Sequence, residues 1–154
     1  GYIVVNMLLY ITVGIEEELM FRSVVTECLL RKNSNIIVFA SVYSGLLFGL
    51  AHITNFIFDA DMTMFNKWCT MIMACVFGFT LAVIFLRTKS IGAVITLHFL
   101  WDFADFMNHM MIVERYRYGG SYNALALQIP VLIVMLVIAV FCMYNKRQMR
   151  LQSV

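Results

Sequence analysis

The chain has 154 residues, 62% of them hydrophobic and only 13% charged, with a formal net charge of +2. A soluble domain is about 45–50% apolar and about 25% charged. An ordinary soluble fold is therefore excluded, and an all-α, multi-pass transmembrane helical bundle of about five helices is expected. The bilayer is its expected surroundings, and no nucleic-acid partner is expected.

The length suits one membrane domain, residues 1–154. The chain starts at Gly1-Tyr2 inside an apolar run, with no charged n-region and no small-residue cleavage site. No signal peptide is expected, and the chain is expected to be a fragment of a longer protein with helices upstream.

Tyr2 to Leu30 reads as the first helical stretch. It is apolar to Ile15, carries Glu16, Glu17 and Glu18, and becomes apolar again at Leu19 to Phe21. Glu18 and Arg22 are four apart on a helix, so they share a face and can pair. Glu17 is rotated by about 100° from Glu18, which leaves it free to point elsewhere. The alternative is a solvated helix end with a simple salt bridge.

Ile36 to Phe58 is the second stretch, long enough for the roughly 20 residues that a span requires. It carries Phe48-x-x-x-His52. Ser41, Ser44, Gly45 and Gly49 would let a neighbouring helix approach closely. A lone histidine here also fits an interhelical hydrogen bond, with Thr54 and Asn55 within reach.

Trp68 to Leu86 is the third span and Ser90 to Ile112 the fourth. The fourth carries His98-x-x-x-Asp102, with Asp105 and His109 continuing along its face. An aspartate one turn from a histidine can orient the ring and favour one tautomer. A buried polar pair bridging helices is the alternative.

Leu125 to Tyr144 is the fifth span, with Pro130 inside it as a potential kink. The breaks fall at Arg31 to Asn35, Asp59 to Lys67, Arg87 to Lys89 and Val113 to Asn123, where Gly119-Gly120-Ser121 marks a loop. Arg31, Lys32, Arg87, Lys89, Lys146, Arg147 and Arg150 then share one side, which the positive-inside rule makes cytoplasmic together with the C-terminus. Cys28, Cys69, Cys75 and Cys142 lack C-x-x-C spacing and read as small buried hydrophobes.

Ionisable groups cost about 2.5–3.5 kcal/mol each inside a membrane, so three clusters in separate spans suggest a shared purpose. A glutamate and a histidine form a minimal general-base set for activating water. A second histidine with a hydrogen-bonding partner can stabilise an oxyanion. At 1.5 Å per residue from the basic side, Glu17 lies ~20 Å in, His98 ~13 Å and His52 ~25 Å. Their convergence then depends on tilt and on where the helices end.

The ordered trio Glu17-Glu18-x-x-x-Arg22, Phe48-x-x-x-His52 and His98-x-x-x-Asp102 resembles the CPBP family of intramembrane proteases, the CAAX-processing and bacteriocin-processing enzymes also called Abi proteins. The resemblance covers Glu17 to Asp102. It implies an endopeptidase acting on a peptide or membrane-protein substrate. Glu17 would activate the attacking water with help from His52. Glu18 and Arg22 would support the site, Phe48 would pack beside the cavity, and His98 with Asp102 would form the oxyanion site. Asp102 stands where CAAX-processing members carry Asn. An ionised Asp cannot donate to an oxyanion as an amide does, so it would be protonated, act through His98, or bind a metal.

CAAX-type processing, peptide maturation and bacteriocin immunity in a bacterial cell membrane are the roles that the resemblance implies. A metal-free mechanism is the first expectation. Zinc held by His52, His98 and Glu17 is the alternative, since these are N and O ligands that zinc accepts. A non-catalytic immunity or scaffold protein, a proton- or ion-path protein, and a haem protein ligated by His52 and His98 are the rival readings.

Overall fold

A computed structural model describes residues 2–32, 37–58, 60, 63–117 and 125–144. Among these the regular elements are all helical. Backbone groups in lipid must be satisfied within the segment, and the helix does this. The order is α1 (Tyr2–Glu18), a π-helical segment (Leu19–Thr26), α2 (Glu27–Lys32), α3 (Ile37–Ala51), α4 (Thr54–Phe58), α5 (Met64–Thr88), α6 (Ile91–Arg117) and α7 (Leu125–Tyr144). Since α1, the π segment and α2 run on as one rod, and α4 follows α3 after a short turn, five helical stretches result.

The main departure from expectation is in the second stretch. The helix is interrupted at His52 and Ile53, whose amides bond to the carbonyls of Gly49 (3.1 Å) and Leu50 (3.0 Å) in a tightened last turn. Hydropathy continues across this point, so the break is invisible in composition. Two helical regions, Val38–Phe58 and Met64–Thr88, are long and apolar enough to cross a membrane, with a shorter apolar helix at Pro130–Met143. In α6, the polar residues His98, Asp102, Asp105 and Asn108 lower the hydropathy of what is otherwise a long helix.

Local signals set the ends. Thr63 caps α5 by accepting from the Asn66 amide (3.3 Å). Lys89 closes the same helix in the left-handed region, φ 53°, and its amide donates to the Phe85 carbonyl at 2.7 Å. Ser90 Oγ accepts from the Ala93 amide at the start of α6. Pro130 sits within α7. The Gly119-Gly120-Ser121 turn and the basic residues Lys146, Arg147 and Arg150 lie outside the described residues.

The closest packing is between α3 and α5. A Cβ on Gly45 would stand 2.7 Å from the Cys75 carbonyl oxygen and the Phe79 nitrogen, and one on Gly49 would strike the Cys75 sulfur. Small residues therefore bring these backbones together, as is usual where packing drives association in lipid. On the other side, α1 lies along α6, and the π segment is wedged against α3.

The core gathers Phe21, Phe48, Phe77, Leu81, Phe85 and Val94, while the outer faces of α1, α3 and α7 expose apolar side chains such as Val5, Leu50 and Val137. All four cysteines are free. Cys28 is exposed and the others are half-buried rather than fully enclosed. Arg87 Nη2 donates to the Met143 carbonyl at 2.6 Å, and Lys89 lies 3.7 Å from Glu27, so the ends of α2, α5 and α7 share one end of the bundle.

Candidate active site

The acidic motif straddles the junction between α1 and the π segment. A π-helix is usually a single-turn bulge and often marks a functional site; this one runs for eight residues. Glu18, Arg22 and Thr26 are all fully buried. Arg22 presents two nitrogens to Glu18, with Nε 2.7 Å from Oε2 and Nη2 3.1 Å from Oε1. Of these two contacts the Nη2–Oε1 one is a hydrogen bond; the Nε–Oε2 contact is an ion pair without hydrogen-bond geometry. Arg22 Nη1 donates to Ser44 Oγ on α3 at 3.2 Å.

Glu18 has a second partner, 80 positions away. His98 Nδ1 lies 2.8 Å from its Oε1. A carboxylate already paired with a guanidinium accepts here, so Nδ1 carries the proton. The other ring nitrogen, Nε2, faces Glu17 Oε2 at 3.6 Å and Asp102 Oδ2 at 3.5 Å. Glu17 is one-third exposed and Glu18 not at all. Adjacent carboxylates therefore occupy different surroundings: one is locked in protein and the other stands at the edge of accessible space.

The histidine at the end of α3 is held differently. His52 Nδ1 is 3.0 Å from the Phe48 carbonyl of its own helix. A carbonyl only accepts, so Nδ1 is the protonated nitrogen and Nε2 keeps its lone pair. Thr54 bonds instead to the Ala51 carbonyl, and the Asn55 side chain is outside the described residues. His52 sits at the helix break and is half-exposed.

Phe48, 2% exposed, is the shared wall. Its ring centroid is 5.2 Å from that of His52, 5.8 Å from that of His98 and 5.2 Å from the Arg22 guanidinium carbon. A Cβ on Gly78 would press on Phe48 at 2.7 Å, so this glycine sets how deep the ring sits. A cavity of about 260 Å³ opens beside it. Phe48, His52, Phe77, His98, Trp101 and Asp102 are among its lining residues, and Asp105 and Thr70 also contribute. The His109 side chain, expected to extend the polar face of α6, is outside the described residues.

The arrangement brings together Glu17, Glu18, Arg22, Phe48, His98 and Asp102 in direct contact, and joins His52 to them through Phe48 and the cavity wall. The sequence reading missed Thr26, Phe77 and Trp101, and took Ser44 only for a small packing residue. A signal for two of them exists. Thr26 continues the Glu18, Arg22 face at the next fourth position, and Ser44 precedes Phe48 and His52 at the same spacing. No comparable signal ties Glu18 to His98.

A zinc ion is a poor fit to this donor set. Both nitrogens of His98 already face carboxylates, and among the described residues no three His, Cys, Asp or Glu side chains are grouped to hold a metal.

Residues 1–104, more than half of the chain and all three motifs, match the family described as type II CAAX prenyl endopeptidase, Rce1-like. No curated protein and no solved structure matches the chain. With the ordered motifs, the helical bundle and the family match in agreement, the chain belongs to the type II CAAX prenyl endopeptidase Rce1-like family of membrane peptidases.

Proposed function

We propose that this protein is an intramembrane endopeptidase that hydrolyses a peptide bond with water activated by Glu17 and His52. The observation that carries the reading is the division of labour between Glu17 and Glu18 around His98. Glu17 takes a proton from water as the oxygen attacks the scissile carbonyl carbon. His52 accepts a hydrogen bond through its free Nε2 and orients that water. His98 acts as the imidazolium, its Nδ1–H held by Glu18 and its Nε2–H offered to the oxyanion. Asp102 acts through His98 and holds the ring's outer edge. As the intermediate collapses, the C–N bond breaks and Glu17 returns its proton to the leaving amine.

The family favours a CAAX-type substrate, the C-terminal segment of a prenylated protein, over peptide maturation or bacteriocin immunity. The same reading places the protein in a cell membrane with a cytoplasmic C-terminus. Its support is that Arg87 and Lys89 lie at the end of the bundle where α7 finishes.

The test compares wild type with Glu17→Gln in liposomes against a peptide library that includes prenylated CAAX peptides, read by mass spectrometry, with and without a zinc chelator. Cleavage by wild type alone, insensitive to chelation, is the expected result. Loss of cleavage on chelation would replace this mechanism with a metal-dependent one. No cleavage by folded wild type would favour a non-catalytic immunity or scaffold role.

A further inference from the structure

We infer that Ser44 and Thr26 are positioning residues of the site, a pair of hydroxyls that fixes Arg22 and, through Glu18, the ring of His98. The inference rests on the peptidase reading above. Thr26 Oγ1 lies 2.7 Å from the Phe21 carbonyl and 2.9 Å from Ser44 Oγ, and Ser44 Oγ lies 3.5 Å from that carbonyl. Thr26 has one hydroxyl proton, and O–H···O bonds run at about 2.5–3.0 Å. The proton of Thr26 therefore goes to Phe21, and the proton of Ser44 goes to Thr26. Ser44 Oγ is left as the acceptor for Arg22 Nη1.

A single directional chain results. It runs from Arg22 through Ser44 and Thr26 to a backbone carbonyl inside the π segment. The other end of the guanidinium grips Glu18, and Glu18 Oε1 receives His98 Nδ1. Glu18, Arg22, Thr26 and Ser44 have no exposed surface, and His98 and Phe21 almost none, so water cannot replace a lost link. Without the hydroxyls, the Arg22–Glu18 pair stays intact but is free to turn as a unit. The His98 ring then loses its fixed aim toward Glu17 and Asp102. Neither Ser44 nor Thr26 lines the cavity, so substrate binding is untouched.

Thr26→Val keeps the shape and removes the hydroxyl, while Thr26→Ser keeps the hydroxyl and removes a methyl. Thr26→Val and Ser44→Ala are each expected to lower kcat about tenfold or more with KM unchanged, the usual consequence of losing a hydrogen bond that serves a charged group. Thr26→Ser should stay near wild type. The double variant should be no worse than either single one, because both break the same chain. Where Ser44→Ala does not fold, Ser44→Cys keeps a weaker donor and should show an intermediate loss.

The second readout needs no turnover. It is the ¹⁵N signal of the His98 ring, assigned by its disappearance in His98→Gln. Its Nδ1–H signature should change in Thr26→Val and persist in Thr26→Ser. Wild-type kcat and an unchanged ring signal in Thr26→Val would overturn the inference. So would equal damage by Thr26→Ser, or additive losses in the double variant. If wild type cleaves nothing yet the ring responds as described, the peptidase reading fails and the positioning chain stands.

Discussion

The site has two halves that differ in almost every physical respect. The inner half is Glu18, Arg22, Thr26 and Ser44, fully buried and joined to one another by short contacts. The outer half is Glu17, His52 and Asp102, all partly exposed; His52 and Asp102 line the cavity, and His52 is held by a short bond to its own backbone. His98 stands between them, one nitrogen in each half. The contrast teaches that a charged cluster in a membrane protein need not be all reactive. On the proposed mechanism, the buried groups hold the site's shape and the partly exposed ones meet the substrate.

The strongest way to break this comparison is Arg22→Ala. It removes the guanidinium from the buried Glu18 carboxylate and leaves His98 as its remaining partner; breaking a buried pair in this way typically costs about 3–5 kcal/mol. A large drop in thermal stability in detergent, with loss of cleavage, is expected. A paired change, Glu18→Leu with Arg22→Met, should recover much of the stability and none of the activity. A wild-type melting curve for Arg22→Ala would show that the inner half is not structural.

Next in size is His52→Ala. A positioned base contributes typically 10²- to 10⁴-fold, so cleavage should fall by about 100-fold or more while the melting temperature barely moves. A stability loss as large as that of Arg22→Ala would merge the two halves. Gly49→Ala is expected to cost about 1–3 kcal/mol, because the new methyl strikes Cys75 where backbones already touch. Denaturation in detergent measures it, and Cys75→Ala in the same chain should relieve part of the loss. The smallest effect is expected from Glu27→Gln, which removes a half-exposed ion pair with Lys89 and should change stability by less than about 0.5 kcal/mol.

Much of this was legible in the sequence. Five helical stretches followed from apolar runs between polar breaks, and Glu18 with Arg22 followed from helical spacing alone. What stayed hidden was whatever depended on distant partners. The contact of Glu18 with His98 spans 80 positions, so spacing along one helix could only make Glu18 the mate of Arg22. The π segment has no compositional mark, because its Phe21 carbonyl is satisfied by a threonine hydroxyl that α3 steadies through Ser44. The break at His52 was hidden for the opposite reason: its neighbours are as apolar as the helix before them. Asp102, by contrast, was expected to orient the ring one turn before it, and its Oδ2 lies 3.5 Å from His98 Nε2.

The clasp between Arg87 and the Met143 carbonyl ties the end of α7 to the end of α5. Among the described residues α7 leans chiefly on α5, and the family match ends at residue 104, before α7 begins. Among the described residues, what holds this helix is that tether at its end and an apolar face along α5, so a change on α7 reaches the polar cluster of α1, α3 and α6 only through α5.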